Sequence, residues 1–363
     1  MSKLKELKRA LRDDNGQINI LIAQFDPDAL ASAMGLEYII QKVSDLKVQI
    51  YYFGAIGHPQ NRCLINKYDL KRKVRPIKDS DISKDSTVAL VDSCHIEDGR
   101  LLKEKSDLPI PLVIIDHHRG EVSFPEKEKG FVWVEDVGAA STMIVELLRE
   151  LDSNINEYLS SEVGSMLATI LTLGIYTDTN KLVSGSQRDR EAYGFVTQFV
   201  SGIEMSELVD YPLSESYFKN LQNALNNYMR KGSRVIAKVG IISGETGDDL
   251  STIADEFLRM QGVTLVVIWG IINKKVRISA RSRDLSTPLD EFLAQKFGKS
   301  SGAKLAPNGR GEGGAILDLN LGFWYSENIE SEIEMLVTNR LREVMFSDLP
   351  ESSPESNIEK KDT

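Results

Sequence analysis

Apolar runs of strand length alternate with longer stretches of helical spacing through the first half of the chain. Runs at 18–24 ("INILIAQ"), 48–54, 86–92, 112–118 and 131–136 predict strands. The stretches 28–43, 141–151 and 162–176 carry helical periodicity and good helix formers, and predict helices. A short amphipathic helix is expected at the start, "SKLKELKRALR". Strands that alternate with helices imply an α/β fold, a mainly parallel sheet with helices on both faces.

The pattern turns helical and more polar from about 188 to 231, and 201–232 reads as a connecting region after a first domain at 1–200. A smaller mixed α/β domain is expected over 233–345. It holds a strand at 234–242, a helix at 248–260, a hairpin over 264–282 turning at Asn273 and Lys274, and a helix at 287–298 with Pro near its start and Gly after its end. The Gly-, Lys- and Ser-rich stretch 299–314 reads as a loop. The polar tail from 346 onward reads as disordered. A length of 363 residues is itself more than one core comfortably fills.

Composition narrows the functions open to such a fold. A net charge of −10 argues against non-specific binding of long duplex nucleic acid, though not against a local basic pocket for a small phosphorylated ligand. The longest apolar runs, such as "TLVVIWGII" at 264–272, fall far short of the roughly 20 residues that span a bilayer, and no membrane association is expected. The first residues lack the apolar core of a signal peptide. Two cysteines, Cys63 and Cys94, make no disulfide framework, so a reducing cytoplasm is the simplest location. Nothing in the pattern specifies an oligomeric state.

The candidate chemistry lies at the strand ends. Asp26 and Asp28 follow the first apolar run and Asp92 follows "TVALV". Asp116, His117 and His118 follow "LVII", and Asp178 follows a long apolar stretch. The chain has four histidines, so two side by side at one strand end are conspicuous. Ligands of open α/β sheets bind outside the carboxyl ends of the strands, which would bring these residues to one crevice. Clustered carboxylates repel, and burial raises the cost. A divalent cation resolves the conflict, and carboxylates with one or two imidazoles suit Mn²⁺ or Mg²⁺. Two such ions about 3.5–4 Å apart would clamp an in-line phosphoryl displacement. An Asp at a strand end is more often an N-cap, and Asp28 could cap the helix that follows it. The joint pattern of four acidic motifs with His117 and His118 favours the metal site.

Over about residues 15–325 the chain resembles the DHH phosphoesterase superfamily, named for the triplet seen here as Asp116-His117-His118. "FDPDALASAMGL", "ALVDS", "IIDHH" and "LGIYTDTNKL" are similar to its successive motifs, and "VGAASTMIVELL" to the segment after the third. The second half resembles the DHHA1 substrate-binding domain. "RISARSRD" looks like its basic strand, with Arg281 and Arg283 on one face to grip phosphates. "GRGEGGA" lies where that family has a Gly-rich loop, which would make Gly309, Arg310, Gly313 and Gly314 phosphate contacts. The histidine usual in that loop is absent. The resemblance implies one metal site of Asp28, Asp92, His117 and Asp178, with Asp92 bridging. It implies a second site of Asp26, Asp92 and a histidine four residues before Asp26, where this chain has Ile22. That replacement should weaken or abolish metal there, unless His58 or His95 approaches. His118 would support the metal ligands from outside or contact phosphate.

The expectation is a Mn²⁺- or Mg²⁺-dependent phosphodiesterase with one or two ions. A metal-bound hydroxide would attack a nucleotide or short oligonucleotide between the two domains, and His118, Arg281 and Arg283 would stabilise the developing charge. Two alternatives stay open: a nucleotide-binding regulatory protein with an impaired metal centre, and a hydrolase of pyrophosphate or polyphosphate.

Overall fold

The computed structural model describes residues 2–12, 16–78, 80–94, 108–118, 130–151, 154–243, 247–284, 288–305, 309–320, 329–349 and 355–357. It divides into two units, Met1–Pro212 and Leu213–Thr363.

In the first unit, helix α1 (Lys3–Leu11) buries Leu4, Leu7 and Leu11, one stripe of an amphipathic helix. Strands β1 (Gln17–Ile22), β2 (Lys47–Tyr52), β3 (Val74–Pro76), β4 (Thr87–Val91), β5 (Val113–Asp116) and β6 (Phe131–Val134) form a sheet of order β3-β2-β1-β4-β5-β6. Every neighbouring pair is parallel. Both faces of β1 are buried, which is why its sequence reads as one apolar run. Ile18, Ile20 and Ile22 enter one core. Leu21 enters another, with Tyr51, Leu90, Ile114 and Ile82.

The helices of this unit are α2 (Pro27–Val43), α3 (Pro59–Lys67), α4 (Ala140–Leu151), α5 (Ile155–Leu159), α6 (Glu162–Asp178), α7 (Gln187–Val196) and α8 (Gly202–Val209). Helices α2, α4 and α6 pack on one another at close range. A Cβ on Gly35 of α2 would lie 2.3 Å from Ile144 Cγ2, and one on Gly174 of α6 would lie 2.5 Å from Ser141 Oγ. Strand order reverses between β1 and β4, and in open α/β sheets ligands bind at the carboxyl ends of the strands where the order reverses. This is the helix-flanked parallel sheet that the alternation predicts.

The second unit begins with α9 (Glu215–Asn226), so the expected connecting region is shared: α8 belongs to the first unit and α9 to the second. A mixed sheet of order β11-β12-β10-β9-β8-β7-β13 follows, built from β7 (Tyr228–Lys231), β8 (Arg234–Ile241), β9 (Leu265–Ile272), β10 (Lys275–Ser282), β11 (Ser301–Leu305), β12 (Gly311–Asp318) and β13 (Glu355–Asn357). Only β8 and β9 pair in parallel. Helices α9 and α10 (Asp249–Leu258) cover one face. Helices α11 (Leu289–Phe297) and α12 (Glu330–Phe346) cover the other.

The stretch read as a loop at 299–314 is corrected here, because residues 301–305 and 311–314 are strand and pair with each other. Its glycines depress strand propensity but fit a crowded sheet. A Cβ on Gly314 would lie 2.2 Å from the Ile278 carbonyl oxygen. Part of the tail is also ordered: Arg234 meets Asp348 in a paired contact of 2.8 and 2.9 Å, and residues 355–357 pair with β7.

Candidate metal centre

Asp26 caps α2, accepting a hydrogen bond from Ala29 N–H at 2.9 Å, with Pro27 in the first turn. Asp28 does not cap its own helix. It is fully buried, and its carboxylate accepts from Ala140 N–H at 2.7 Å and Ser141 N–H at 2.8 Å. It therefore caps α4 from the neighbouring helix, where unpaired N–H groups and the helix dipole favour a negative charge.

Asp92 stands one residue beyond β4 in the left-handed conformation, φ 54°, which Asp tolerates better than most residues. Its N–H donates to the Ile115 carbonyl at 3.0 Å, which holds this residue against the end of β5. Asp178 is the last residue of α6. The chain leaves it through Thr179, which is fully buried, and three successive left-handed residues, Asn180, Lys181 and Leu182 at φ 47°, 61° and 64°. Each such residue costs about 1–2 kcal/mol. Hydrogen bonds from Leu182 N–H to Thr179 Oγ1 and from Ser184 Oγ to the Thr179 carbonyl hold the turn.

His117 lies at the centre. Its Nδ1 is 3.2 Å from the Val137 carbonyl oxygen. Its Nε2 is 3.2 Å from Asp92 Oδ1, 3.3 Å from Asp178 Oδ2 and 3.7 Å from Asp28 Oδ2. One donor atom from each of these four residues lies within 4.8 Å of the other three. A second set of the same kind joins Asp92, Asp116, His117 and His118. Asp116 is buried, and its Oδ1 accepts from the N–H groups of His117 at 2.8 Å and His118 at 3.3 Å and lies 2.8 Å from His118 Nδ1.

Burial, followed by the neighbouring Asp178, pushes the Asp28 carboxyl up to about 6. Burial, followed by Asp26, pushes Asp92 up to about 8. Burial depresses the His117 imidazole, but Asp178 and Asp92 outweigh it and hold the ring well above the usual histidine range. His118 is raised first by its bond to Asp116. Three carboxylates thus converge on one imidazole, and His117 Nε2 and Asp92 Oδ1 are buried without a well-formed hydrogen bond. A divalent cation fits this donor set, since it supplies the missing charge and takes the orphaned lone pairs.

Asp26 is in neither set, although it lies near enough to raise Asp92. Ile22 is fully buried in the apolar core at the end of β1. His58 is also outside both sets. It caps α3, its Nδ1 accepting from Gln60 N–H at 3.3 Å, and meets Tyr211 edge to face. His95 lies outside the described residues. In the second unit, Arg281 is buried with its Nε 2.8 Å from Asp255 Oδ1, while Arg283 is exposed just past β10. Gly309 forms a turn at φ 75° and Arg310 is half-buried beside it. Gly313 and Gly314 lie within β12, so their N–H groups belong to a sheet rather than to a phosphate loop. Reading the sequence missed the backbone partners, the Val137 carbonyl and the Ala140 and Ser141 amides, because backbone groups carry no residue-type signal.

Residues 18–175 match the DHH family, N-terminal domain. An uncharacterized protein of Methanocaldococcus jannaschii is 30% identical over 280 residues, 75% of this chain and 53% of that protein. The chain thus spans about half the length of that relative. Among solved structures, an exopolyphosphatase-related protein from Bacteroides fragilis has a TM-score of 0.61 at 13% identity, covering 95% of this chain and 97% of its own, a likeness of fold. Asp26, Asp28, Asp92, Asp116, His117 and His118 lie within the stretch that matches this family model, and Asp178 lies just past its end.

Proposed function

We propose that this protein is a metal-dependent hydrolase that cleaves phosphodiester bonds of a nucleotide or short oligonucleotide. One observation carries the reading: three carboxylates and one imidazole, buried except for the partly exposed Asp178 and short of positive charge, within or just past the residues that match the DHH family. Asp28, Asp92, His117 and Asp178 would hold the ion. A Mn²⁺ or Mg²⁺ ion bound there supplies Lewis acidity toward a phosphoryl oxygen and lowers the pKa of water.

The chain's own residues do the rest. Val137 holds the proton on His117 Nδ1, so Nε2 faces the carboxylates. Asp116 holds a proton on His118 Nδ1, and the side chain of His118 is 47% exposed beside Asp92, where it would face phosphoryl oxygens. Arg283, exposed, is assigned a phosphate contact. Arg281 would join it only by leaving Asp255.

The second reading is cleavage of a phosphoanhydride, as in pyrophosphate or polyphosphate, which the description of the Bacteroides fragilis protein brings forward. The test is a Mn²⁺-supplemented screen of linear and cyclic dinucleotides, short RNA and DNA, pyrophosphate and polyphosphate. Mononucleotide release that disappears in Asp92→Asn is expected. Orthophosphate release from the last two alone would establish the second reading. Nucleotide binding without turnover would make the protein a regulatory binder. Alanine at both Arg281 and Arg283 should raise KM, and unchanged kinetics would remove them from the site.

A further inference from the structure

We propose that Asp189 is a positioning residue of the metal centre, one carboxylate that ties the segment orienting Asp28 and His117 to the segment that follows Asp178; this rests on the metal reading above. Asp189 is fully buried in α7. Its Oδ2 accepts from Ser186 N–H and Oγ, both at 2.6 Å, which closes a capping box on its own helix. A cap would need no more than that.

The same carboxylate also reaches back to the start of α4. Gly138 N–H lies 3.1 Å from Oδ1 and 3.0 Å from Oδ2, and Thr142 Oγ1 donates to Oδ1 at 2.6 Å. Gly138 admits this approach because it lacks a Cβ, which would lie 2.6 Å from both Asp189 Oδ2 and Thr179 Cγ2.

The segment held this way is the one that touches the donors. Val137 meets His117 Nδ1, and Ala140 and Ser141 donate to Asp28. On the other side, Ser184 bonds Thr179, the residue after Asp178. Three of the four donors are thus referred to one buried carboxylate, which touches none of them through the contacts described. Asp189 accepts every one of these bonds, so an amide in its place must turn an N–H toward another N–H or hydroxyl, which breaks the arrangement.

The test uses the full chain and two measurements, backbone amide exchange without metal and calorimetric titration with MnCl₂. Asp189→Asn is expected to speed exchange at Gly138, Ala140 and Ser141 at least tenfold and to raise the Kd for Mn²⁺ by about 10–100-fold. Thr142→Val, which removes one bond, should move both in the same direction by less, and it carries the test alone if Asp189→Asn does not fold. Arg188→Gln is the structural control. It breaks the adjacent contacts to Glu135 and Glu146, and should lower Tm while leaving those amides and the Kd unchanged. Unchanged exchange at Ala140 and Ser141 in folded Asp189→Asn would overturn the proposal, as would an equal loss in Arg188→Gln. A native protein that takes up no Mn²⁺, with the exchange result as expected, would overturn the metal reading and leave the positioning of Asp28 and His117 standing.

Discussion

The Nδ1 of His117 lies 3.2 Å from the carbonyl oxygen of Val137. A carbonyl only accepts, so Nδ1 keeps a proton, and Nε2, which faces Asp28, Asp92 and Asp178, is the atom that would give up its proton and offer its lone pair to an ion. Glutamine at this position has no atom that keeps both contacts. His117→Gln is expected to weaken Mn²⁺ binding by about 100-fold or more, against the 10–100-fold typical of outer partners. Titration calorimetry checks it, and binding within a few-fold of the native protein would show that the imidazole is not a ligand.

Asp178 ends α6, where the helix dipole is unfavourable to a negative charge. Without metal, Asp178→Asn should therefore raise stability by about 0.5–1 kcal/mol. With metal the order reverses, because a saturating ion at about 100 times its Kd stabilises by roughly 2.7 kcal/mol and the variant forgoes it. Thermal unfolding with EDTA and with MnCl₂ gives both halves of the prediction.

Stability should depend on pH in a definite sense. Asp28, raised to about 6, and Asp92, raised to about 8, keep protons in the folded state that the unfolded chain releases near pH 4. His117, also raised, keeps its proton above the pH at which the unfolded imidazole loses it. All three make the folded state the stronger proton binder, so the metal-free protein should lose stability as pH rises from about 4 to 8. Mn²⁺ takes the place of those protons, so its stabilising effect should grow over the same interval. A metal-free Tm that rises from pH 5.5 to 8 would contradict this protonation scheme.

Ile22 is fully buried, pairs with Val91 one residue before Asp92, and belongs to the apolar core. Ile22→His should cost about 1–3 kcal/mol in lost apolar packing. It should also raise the Mn²⁺ stoichiometry from one to two and increase phosphodiester cleavage. A folded variant with one ion and no faster turnover would show that Ile22 is only packing.

Much of this was legible in the residues, for identifiable reasons. β1 buries both faces, so Ile18, Ile20, Leu21 and Ile22 leave little alternation with polar residues, and α6 is read almost to Asp178 because its packed helix is nearly free of charge. Asp28 was legible as a candidate site acid but not as the cap of α4, since that contact joins residues more than a hundred positions apart. β12 escaped because its glycines make room for close neighbours, Gly314 for β10 and Gly313 for β11, and a glycine kept for crowding looks in sequence like one kept for a turn. Asp189 was hidden inside "SQRD", which reads as an ordinary helix start.

No lysine, arginine or histidine is in an ion pair with Asp189 among the described residues; the bonds described to it come from a backbone amide, two hydroxyls and the amide of its own cap. Asp28 likewise leans on two backbone amides. Dissolved ions screen pairs of exposed charges over a Debye length of about 8 Å at physiological strength, and reach buried dipoles far less. The Arg188 pairs with Glu135 and Glu146, partly exposed, should fade in concentrated salt, while the scaffold around the acids keeps its shape. Brine would thus loosen the skin of this protein and leave the geometry of its acids almost unaltered.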